Sequence, residues 1–268
     1  MEYILGTNAE ELERLGIQHG VWQEITYKTW AKAGVAPGKR VLDVGCGPGH
    51  ASFDLAGLVG KTGRVVAVDA SPYYVDYLNQ ESKRRDLPQL SAEVCDVTEL
   101  TSANLGKFDV IYCRWVLCWL TEPQKVLEGF KSLLAPGGHF VIHDYFNWKI
   151  MTTGPRNPGV ERMVQAAIES FKERGGDMDI AARLPAMIRA AGMQVTHFDV
   201  HQKVTRGGGL DSGLAWPLTW WRSYGPKLVK AGKLAIHDYE QAAIAMDKVE
   251  SDPDQFFFCP PLFEFIGQ

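Results

Sequence analysis

A glycine-rich turn near residue 45 limits what this chain can fold into more than any other feature. The aliphatic run RVLDV at residues 40–44 is typical of a buried strand, and GCGPG at residues 45–49 follows it directly. Glycine permits a tight turn and lets a ligand approach the backbone closely. A helix predicted at about residues 50–59 would begin there with unpaired N–H groups. The sequence therefore predicts a strand, a ligand-binding loop and a helix in succession.

Further strands and helices alternate on both sides of this loop. Helices are predicted at 9–33, 72–85 and 123–134, and strands at 64–69, up to Val94, at 108–113, 139–143 and 194–203, and after Pro260-Pro261. Alternation at this spacing predicts an α/β fold whose parallel sheet is joined by right-handed crossovers. Residues 148–176 and 211–250 are predicted to be irregular and helical.

The residues around the loop indicate which ligand it binds. A dinucleotide loop of the G-x-G-x-x-G/A type needs glycine or alanine where this chain has His50 or Ser52. Asp43 precedes the first glycine by two residues, and its charge would repel a pyrophosphate. That carboxylate suits S-adenosylmethionine (SAM), which carries an ammonium and a sulfonium and no phosphate. Asp69 ends the second strand and can accept the ribose hydroxyls of either kind of cofactor.

Four segments together carry a resemblance to a known family. They are the loop with its preceding strand, the strand ending in Asp69, Cys95-Asp96-Val97, and the LLAPGG turn at residues 133–138. This set resembles class I SAM-dependent methyltransferases, of the type that acts on quinones, sterols and natural products. The resemblance covers about residues 40–145. It implies a Rossmann-like, doubly wound sheet of seven mostly parallel strands with the last strand antiparallel, plus an N-terminal helix and helical cap insertions.

The resemblance also implies a cofactor site. Its methionine end would be held by the loop and the end of the fourth strand, its ribose by the end of the second strand, and its adenine by the residues after the third. The residues so implied are Gln18, Asp43, Gly45, Cys46, Gly47, Gly49, Asp69, Ala70, Ser71, Asp96, Val97, Cys113 and Arg114.

The methyl acceptor is expected near the carboxyl ends of the fourth and fifth strands. Histidine titrates near neutral pH, so His143 is the first candidate for a general base, with Tyr145 beside it. The aromatic residues of this region and of the later insertion suit a small, largely apolar acceptor, or equally a helix that packs on the sheet. The predicted substrate-binding residues are Trp115, Trp119, Trp216, Trp220 and Tyr224.

No metal is expected. Asp144 could ligate a metal as in catechol-type enzymes, but those need a carboxylate where this chain has Cys113-Arg114. The chain is expected to form a single methyltransferase domain over residues 1–268. Within it, 1–39 would be an N-terminal helical segment, 40–145 the SAM-binding core, and 148–180 and 207–255 cap or lid insertions.

Composition excludes some partners and leaves others open. The formal net charge is −4 and the isoelectric point about 6.0, so no basic field attracts nucleic acid. Five cysteines without a CxxC pair, together with an N-terminus that lacks a signal-peptide pattern, predict a cytoplasmic protein. The sequence has no uncharged apolar run long enough to span a bilayer, so no membrane span is expected. The acceptor atom (O, N or C) and the oligomeric state stay open. The alternatives are a SAM-binding protein that does not methylate and an NAD-dependent oxidoreductase.

Overall fold

The computed structural model describes residues 8–101 and 103–268, which fall into two compact units. The sheet unit consists of Trp22–Asp144, Ile180–Val200 and Phe263–Gln268. The helical unit consists of the segment that ends at Val21, together with Tyr145–Asp179 and His201–Leu262.

A seven-stranded sheet forms the centre of the sheet unit. Its strands are β1 (Arg40–Val44), β2 (Arg64–Asp69), β3 (Leu90–Val94), β4 (Phe108–Arg114), β5 (Leu134–Tyr145), β7 (Val195–His201) and β10 (Leu262–Gly267). Their order across the sheet is β3-β2-β1-β4-β5-β10-β7. The pairs β1–β2, β1–β4, β2–β3 and β4–β5 are all parallel.

The last strand, β10, runs antiparallel to β7. The backbone N–H groups of Gln194 and Gln268 each donate to the other residue's carbonyl, and the Thr196 hydroxyl donates to the Ile266 carbonyl. The two sequence numbers of each pair have the same sum, which is the signature of antiparallel pairing. The predicted α/β sheet, mostly parallel with an antiparallel last strand, is therefore confirmed.

One face of this sheet carries the helices that shape the loop. They are α2 (His50–Val59), α3 (Pro72–Arg84) and the part of α1 (Ala9–Lys32) that belongs to the sheet unit, from Trp22 onward. Trp30, Val41, Leu55 and Leu78 are fully buried in one hydrophobic cluster on this face. Burial of each such side chain stabilises the fold by about 1.5–3 kcal/mol. Ser71 caps α3 by accepting from the Tyr74 N–H, as the sequence predicts. The remaining helices of the sheet unit are α4 (Pro123–Leu133) and α6 (Leu184–Ala190).

The helical unit contains α5 (Pro158–Glu173), α7 (Ala215–Lys230) and α8 (Ile236–Ser251). It also contains a small antiparallel sheet that the sequence does not predict, made of β6 (Thr152–Gly154), β8 (Val204–Arg206) and β9 (Phe256–Phe258) in the order β6-β9-β8. Three residues are too few to show a two-residue alternation, so these strands leave no pattern in the sequence.

Two further observations concern the extent of single elements. β5 begins at Leu134, five residues before the predicted start at His139, because the backbone of the Pro-Gly-Gly turn already pairs irregularly with β4. No helix within residues 8–101 and 103–268 combines the length and the apolarity that a bilayer crossing needs.

Candidate cofactor and acceptor sites

The three glycines of the loop after β1 all have left-handed backbone conformations, with φ of 68° at Gly45, 53° at Gly47 and 88° at Gly49. At two of these positions, neighbouring side chains also leave no room for a Cβ atom. A Cβ on Gly45 would lie 2.3 Å from a Val116 methyl, and one on Gly49 would lie 2.4 Å from a Leu78 methyl. A Cβ on Gly47 would meet no atom within 4 Å. The backbone at Gly47 therefore faces open space that a ligand can fill.

Asp69, at the end of β2, is tied to this loop. The Gly47 N–H donates to its Oδ2 at 2.8 Å, and the Ser71 N–H donates to its Oδ1 at 2.9 Å. Burial raises the pKa of Asp69, and the two backbone hydrogen bonds oppose that rise. Each carboxylate oxygen accepts more than one hydrogen bond, so both keep capacity for a further donor such as a ribose hydroxyl.

Asp43 lies on β1 directly before the loop and is almost fully buried, at 2% exposure. The Ser52 hydroxyl donates to its Oδ2 at 2.6 Å. Burial raises the pKa of Asp43 to about 6, Asp69 adds to the rise, and Ser52 and Arg114 oppose it. A cation that binds beside this carboxylate would stabilise its ionised form.

The residues after β3 form an exposed corner. Asp96 Oδ1 accepts from both the backbone N–H and the hydroxyl of Thr98, at 2.9 and 2.7 Å, and these bonds lower its pKa. Asp96 is exposed, as is Ala70 after β2, whereas Val97 is buried. Asp96 therefore offers an exposed carboxylate beside a buried aliphatic side chain. The carboxylate can accept a hydrogen bond from an amino group on a planar ring, and the aliphatic side chain can pack against the ring.

The end of β4 supplies a cationic side chain and is followed by a residue with an unusual backbone conformation. Cys113 is fully buried, while Arg114 lies 4.8 Å from the Trp115 ring centroid and donates to the Thr26 hydroxyl at 3.1 Å. Trp115 has φ of 54°, which is rare for a bulky side chain, and its N–H donates to the His143 carbonyl at 2.8 Å. Backbone strain of this kind concentrates at functional sites.

Two other predicted cofactor residues, Cys46 and Gln18, differ in what holds them. Cys46 is half-buried in the loop, and burial raises its pKa well above the ordinary value for a thiol. Gln18 is buried in the helical unit, where its Oε1 accepts from Arg14 at 2.8 Å. Arg14 in turn pairs with Glu11 through two hydrogen bonds of 2.7 Å. The cofactor roles of Cys46 and Gln18 stay predictions.

His143, the first candidate base, is fully buried in the sheet unit. Its Nε2 lies 3.7 Å from Oε2 of Glu264 on β10, and its Nδ1 lies 3.5 Å from the Tyr112 hydroxyl. The Thr29 hydroxyl, the Lys32 ammonium and the His197 Nε2 also contact Glu264, at 2.6, 3.1 and 3.3 Å. His143 thus belongs to a cluster around a buried carboxylate, and its role as a base stays a prediction.

Several predicted acceptor residues come together in the helical unit. Tyr145, Trp216 and Trp220 line one cleft. Tyr224 lies outside that lining, donates to the Ser170 hydroxyl at 3.1 Å and packs 4.8 Å from the Trp220 ring. Trp115 and Trp119 are half-buried in the sheet unit. The structure therefore divides the predicted acceptor residues into a cluster in the helical unit and a pair after β4.

Three contributors to these sites were not predicted from the sequence. Ser52 supports Asp43, Glu264 supports His143, and Trp148 lines the same cleft as Tyr145. Ser52 is nine residues from its partner, and three residues further on than the loop, so its spacing is the one readable signal. Among the described residues, no group of three His, Cys, Asp or Glu side chains is placed to hold a metal ion.

Comparison with known proteins identifies the family to which these features belong. A family model described as "Methyltransferase domain" matches residues 36–202, more than half of the chain. The chain belongs to this methyltransferase family. The match confirms the family predicted from the loop and its flanking motifs, and the methyl donor of that family is SAM.

Individual relatives agree with this assignment. Methyltransferase str2 of Strobilurus tenacellus is 26% identical over 190 residues, which are 70% of this chain and 66% of that protein. A ubiquinone biosynthesis O-methyltransferase of Xanthomonas campestris pv. campestris is 35% identical over 102 residues, which are 38% of this chain and 41% of that protein. The chain spans less than two thirds of the length of these curated relatives.

A solved structure shows the same fold at low sequence identity. It is coclaurine N-methyltransferase bound to N-methylheliamine and SAH, with a TM-score of 0.59 and 14% identity, covering 91% of this chain and 71% of that chain. At this identity the likeness concerns the fold alone, and it confirms the Rossmann-like sheet.

Proposed function

We propose that this protein transfers a methyl group from SAM to a small, largely apolar acceptor. The observation that carries the proposal is the loop after β1, where the Gly47 backbone faces open space, its N–H donates to Asp69, and Asp69 in turn raises the pKa of the buried Asp43. Two carboxylates disfavour a pyrophosphate and favour a nucleoside that carries positive charge. This arrangement supports SAM over NAD, the dinucleotide alternative.

The residues of the site fit the cofactor. Asp69 would accept the ribose hydroxyls, Asp96 the adenine amino group with Val97 beneath the ring, and Asp43 would favour the cationic methionine end. When bound, SAM would supply a methyl group on its sulfonium: the acceptor atom would take the methyl carbon by in-line displacement, and SAH would leave as the carbon–sulfur bond breaks. The protein's part is to hold both reactants in line and to exclude water from them.

The acceptor side of the proposal rests on the helical unit. Its aromatic residues, Tyr145 and Trp220 among them, provide apolar surface with few charges. The ubiquinone relative is named an O-methyltransferase and the structural neighbour an N-methyltransferase, so either atom is a possible acceptor here. The lid role of residues 148–180 and 207–255 stays a prediction.

Location and other partners complete the proposal. The five cysteines carry free thiols and three of them are buried, which supports a reducing, cytoplasmic location. The acidic net charge supports a small molecule rather than a nucleic acid as the acceptor.

Calorimetric titration with S-adenosylhomocysteine (SAH) tests the cofactor assignment, with NAD as the comparison ligand. We expect SAH to bind near one equivalent and NAD to give no heat. Gly47→Ala places a methyl group in the open space and should weaken SAH binding at least about fivefold. Gly34→Ala is the matched control, because Gly34 also has a positive φ, of 85°, and open space around its Cβ position. Equal SAH affinity in both variants would contradict the assignment.

Activity is tested by incubating the protein with labelled SAM and a panel of hydrophobic phenols, quinones, sterols and polyketides. Transfer of label to an acceptor would establish the reaction. Stoichiometric SAH binding without transfer to any acceptor would favour the alternative of a SAM-binding protein that does not methylate.

A further inference from the structure

The strand β7 forms one edge of the seven-stranded sheet. Among the residues that the structure describes, it has β10 on one side and no strand on the other. An edge strand exposes backbone N–H and C=O groups that can pair with another chain, and natural proteins usually block such an edge with lysine, proline or a covering segment. The sequence of β7 is VTHFDVH, which contains neither lysine nor proline. The strand itself therefore carries no such block.

The opposite edge of the sheet, β3, is closed by side chains of α3. The Asn79 side chain donates to the Ala92 carbonyl and accepts from the Ala92 N–H, both at 2.9 Å. The Ser82 hydroxyl donates to the Leu90 carbonyl at 3.0 Å. Within residues 8–101 and 103–268, no side chain of another element bonds the backbone of residues 195–200 in this way. The sheet therefore has one closed edge and one open edge.

One face of β7 carries ionisable side chains. His197 Nε2 and Asp199 Oδ2 lie 3.0 and 3.9 Å from the Lys32 ammonium, so both side chains point toward α1. Asp199 Oδ1 accepts from the Val200 N–H at 2.8 Å. His197 and Asp199 are both more than a third exposed, so each keeps room for a further partner at the edge.

The other face of β7 is apolar and only partly covered. Successive side chains of a strand alternate between its faces, so Phe198 and Val200 lie opposite to His197 and Asp199. The Phe198 ring packs 5.1 Å from the Phe265 ring, yet Phe198 is 52% exposed and Val200 is 41% exposed. The open edge thus combines exposed apolar surface on one face with a cation–anion pair of residues on the other.

This strand is complementary to itself when two copies run antiparallel. A two-fold axis perpendicular to the sheet places one residue opposite its own copy. With Phe198, the middle residue of β7, on the axis, all seven residues have a partner. His197 of each copy then lies opposite Asp199 of the other, and such opposed side chains come about 4.5–5.5 Å apart at Cβ. The match of opposite charges therefore occurs twice.

The neighbouring two-fold registers lose this match. With Asp199 on the axis, two aspartates lie opposite each other, and like charges in directly opposed positions are destabilising. With His197 on the axis, the two histidines are opposed and Asp199 faces Val195. Each of these shifts also leaves two residues of β7 without a partner. Charge and length therefore select the same register.

We propose that the protein forms a homodimer in which β7 pairs antiparallel with β7 of a second copy, with Phe198 on the two-fold axis. The two seven-stranded sheets then continue as one sheet. His197 and Asp199 form ion pairs across the axis on one face, while Phe198 and Val200 of both copies cover each other on the other face. The proposal is independent of the proposed methyl transfer.

Sedimentation analysis tests the association directly. The wild-type chain should show a reversible monomer–dimer equilibrium between about 1 and 200 μM, as expected for an interface of modest size. Phe198→Asp places two carboxylates on the axis and should raise the dimer Kd at least about a hundredfold. Val94→Asp is the matched control, because Val94 is 55% exposed on β3, the opposite edge strand, and should leave the Kd unchanged.

A second substitution tests the charge match without touching the apolar face. Asp199→Lys sets a cation opposite His197 of the second copy and should raise the Kd about tenfold or more. Asp199→Asn removes the charge alone and should raise it about two- to fivefold. Equal Kd values in the wild type and Asp199→Lys would overturn the assigned register.

Disulfide formation tests the register in the folded protein. Thr196 lies opposite Val200 of the second copy, whereas two copies of Thr196 would be about 14 Å apart along the strands. On oxidation, a mixture of the Thr196→Cys and Val200→Cys variants should therefore give at least about five times more linked dimer than either variant alone, with the wild-type chain as background.

The outcomes separate as follows. A wild-type chain that stays monomeric over the whole concentration range would overturn the proposal. A dimer that persists unchanged in Phe198→Asp uses another surface, and this result would overturn it as well. Equal linking in the mixture and in the single variants would contradict the antiparallel register with Phe198 on the axis.

Discussion

Two buried carboxylates of the sheet unit, Asp43 and Glu264, have opposite surroundings. Glu264 is contacted by Lys32 and His197 within 3.3 Å and accepts a short hydrogen bond from the Thr29 hydroxyl. Its charge is therefore balanced by groups that the fold itself supplies. A buried carboxylate with this many internal partners is typical of a structural role.

Asp43 is equally buried, but the fold supplies fewer partners that stabilise its charge. It accepts from the Ser52 hydroxyl, while the second carboxylate at Asp69 helps to raise its pKa to about 6. Arg114 offsets only part of this rise. The difference separates a carboxylate whose charge is balanced within the protein from one whose ionised form the fold disfavours, which is the setting that the proposed cationic cofactor would require.

Replacement of Glu264 should give the largest effect on stability. Glu264→Ala removes the acceptor of Thr29 and the counter-charge of Lys32, and we expect a loss of about 3 kcal/mol. Thermal unfolding should then show a midpoint about 6–12 °C lower, with SAH affinity unchanged. Glu24→Ala is the control, on α1, the helix that carries Thr29 and Lys32, because the Glu24–Lys28 pair is exposed and should contribute less than about 0.5 kcal/mol. A loss of SAH affinity in Glu264→Ala would break the distinction drawn above.

Replacement of Asp69 should lower SAH affinity rather than stability. Asp69→Ala removes the proposed acceptor of the ribose hydroxyls and should weaken SAH binding by about 1–3 kcal/mol in calorimetry. Asp109→Ala is the matched control, since Asp109 also accepts from a backbone N–H, that of Arg40 at 2.8 Å, but at the opposite ends of β1 and β4. Unchanged SAH affinity in Asp69→Ala would refute the ribose assignment.

The raised pKa of Asp43 predicts how ligand binding depends on pH. The folded protein holds the Asp43 proton up to about pH 6, above the ordinary value of 3.8, so this group stabilises the ligand-free fold at low pH and that contribution is lost as pH rises through 6. A cationic ligand prefers the ionised form, so the affinity for SAM, which carries the sulfonium, should increase about tenfold between pH 5 and pH 7. In Asp43→Asn this increase should disappear, and a full increase in that variant would show that another group titrates.

His143 should give the smallest effect on turnover, because its contacts associate it with Glu264. We expect His143→Gln to leave the rate of methyl transfer within about twofold while lowering the thermal midpoint. A fall in rate of about a hundredfold or more with unchanged SAH affinity would instead establish it as the general base that its position in the sequence predicts.

The parts of the fold that repeat a local pattern could be predicted from the sequence. The aliphatic runs of β1 and β2, the Ser71-Pro72 start of α3 and the glycine spacing of the loop each depend on neighbours within a few residues. Three-residue strands such as β6 contain no such pattern, and they form because the fold brings together segments about a hundred residues apart.

The functional residues divide in the same way. Asp43 and Asp69 are readable because a motif fixes their distance from the loop. The surroundings of His143 are not readable, because they include Glu264 on β10, which also contacts Thr29 across 235 residues of chain. Trp148 could not be singled out either, since one tryptophan beside several others does not show its burial.

The uneven packing around the three loop glycines affects which substitutions each position tolerates. Positions 45 and 49 are closed by Val116 and Leu78, so a larger residue there requires a change at the neighbouring side chain as well as a strained backbone. Position 47 is constrained by its backbone angle and by whatever occupies the space before it. In a relative that no longer binds the nucleoside, asparagine or aspartate can replace glycine at this position, because both residues tolerate a left-handed backbone.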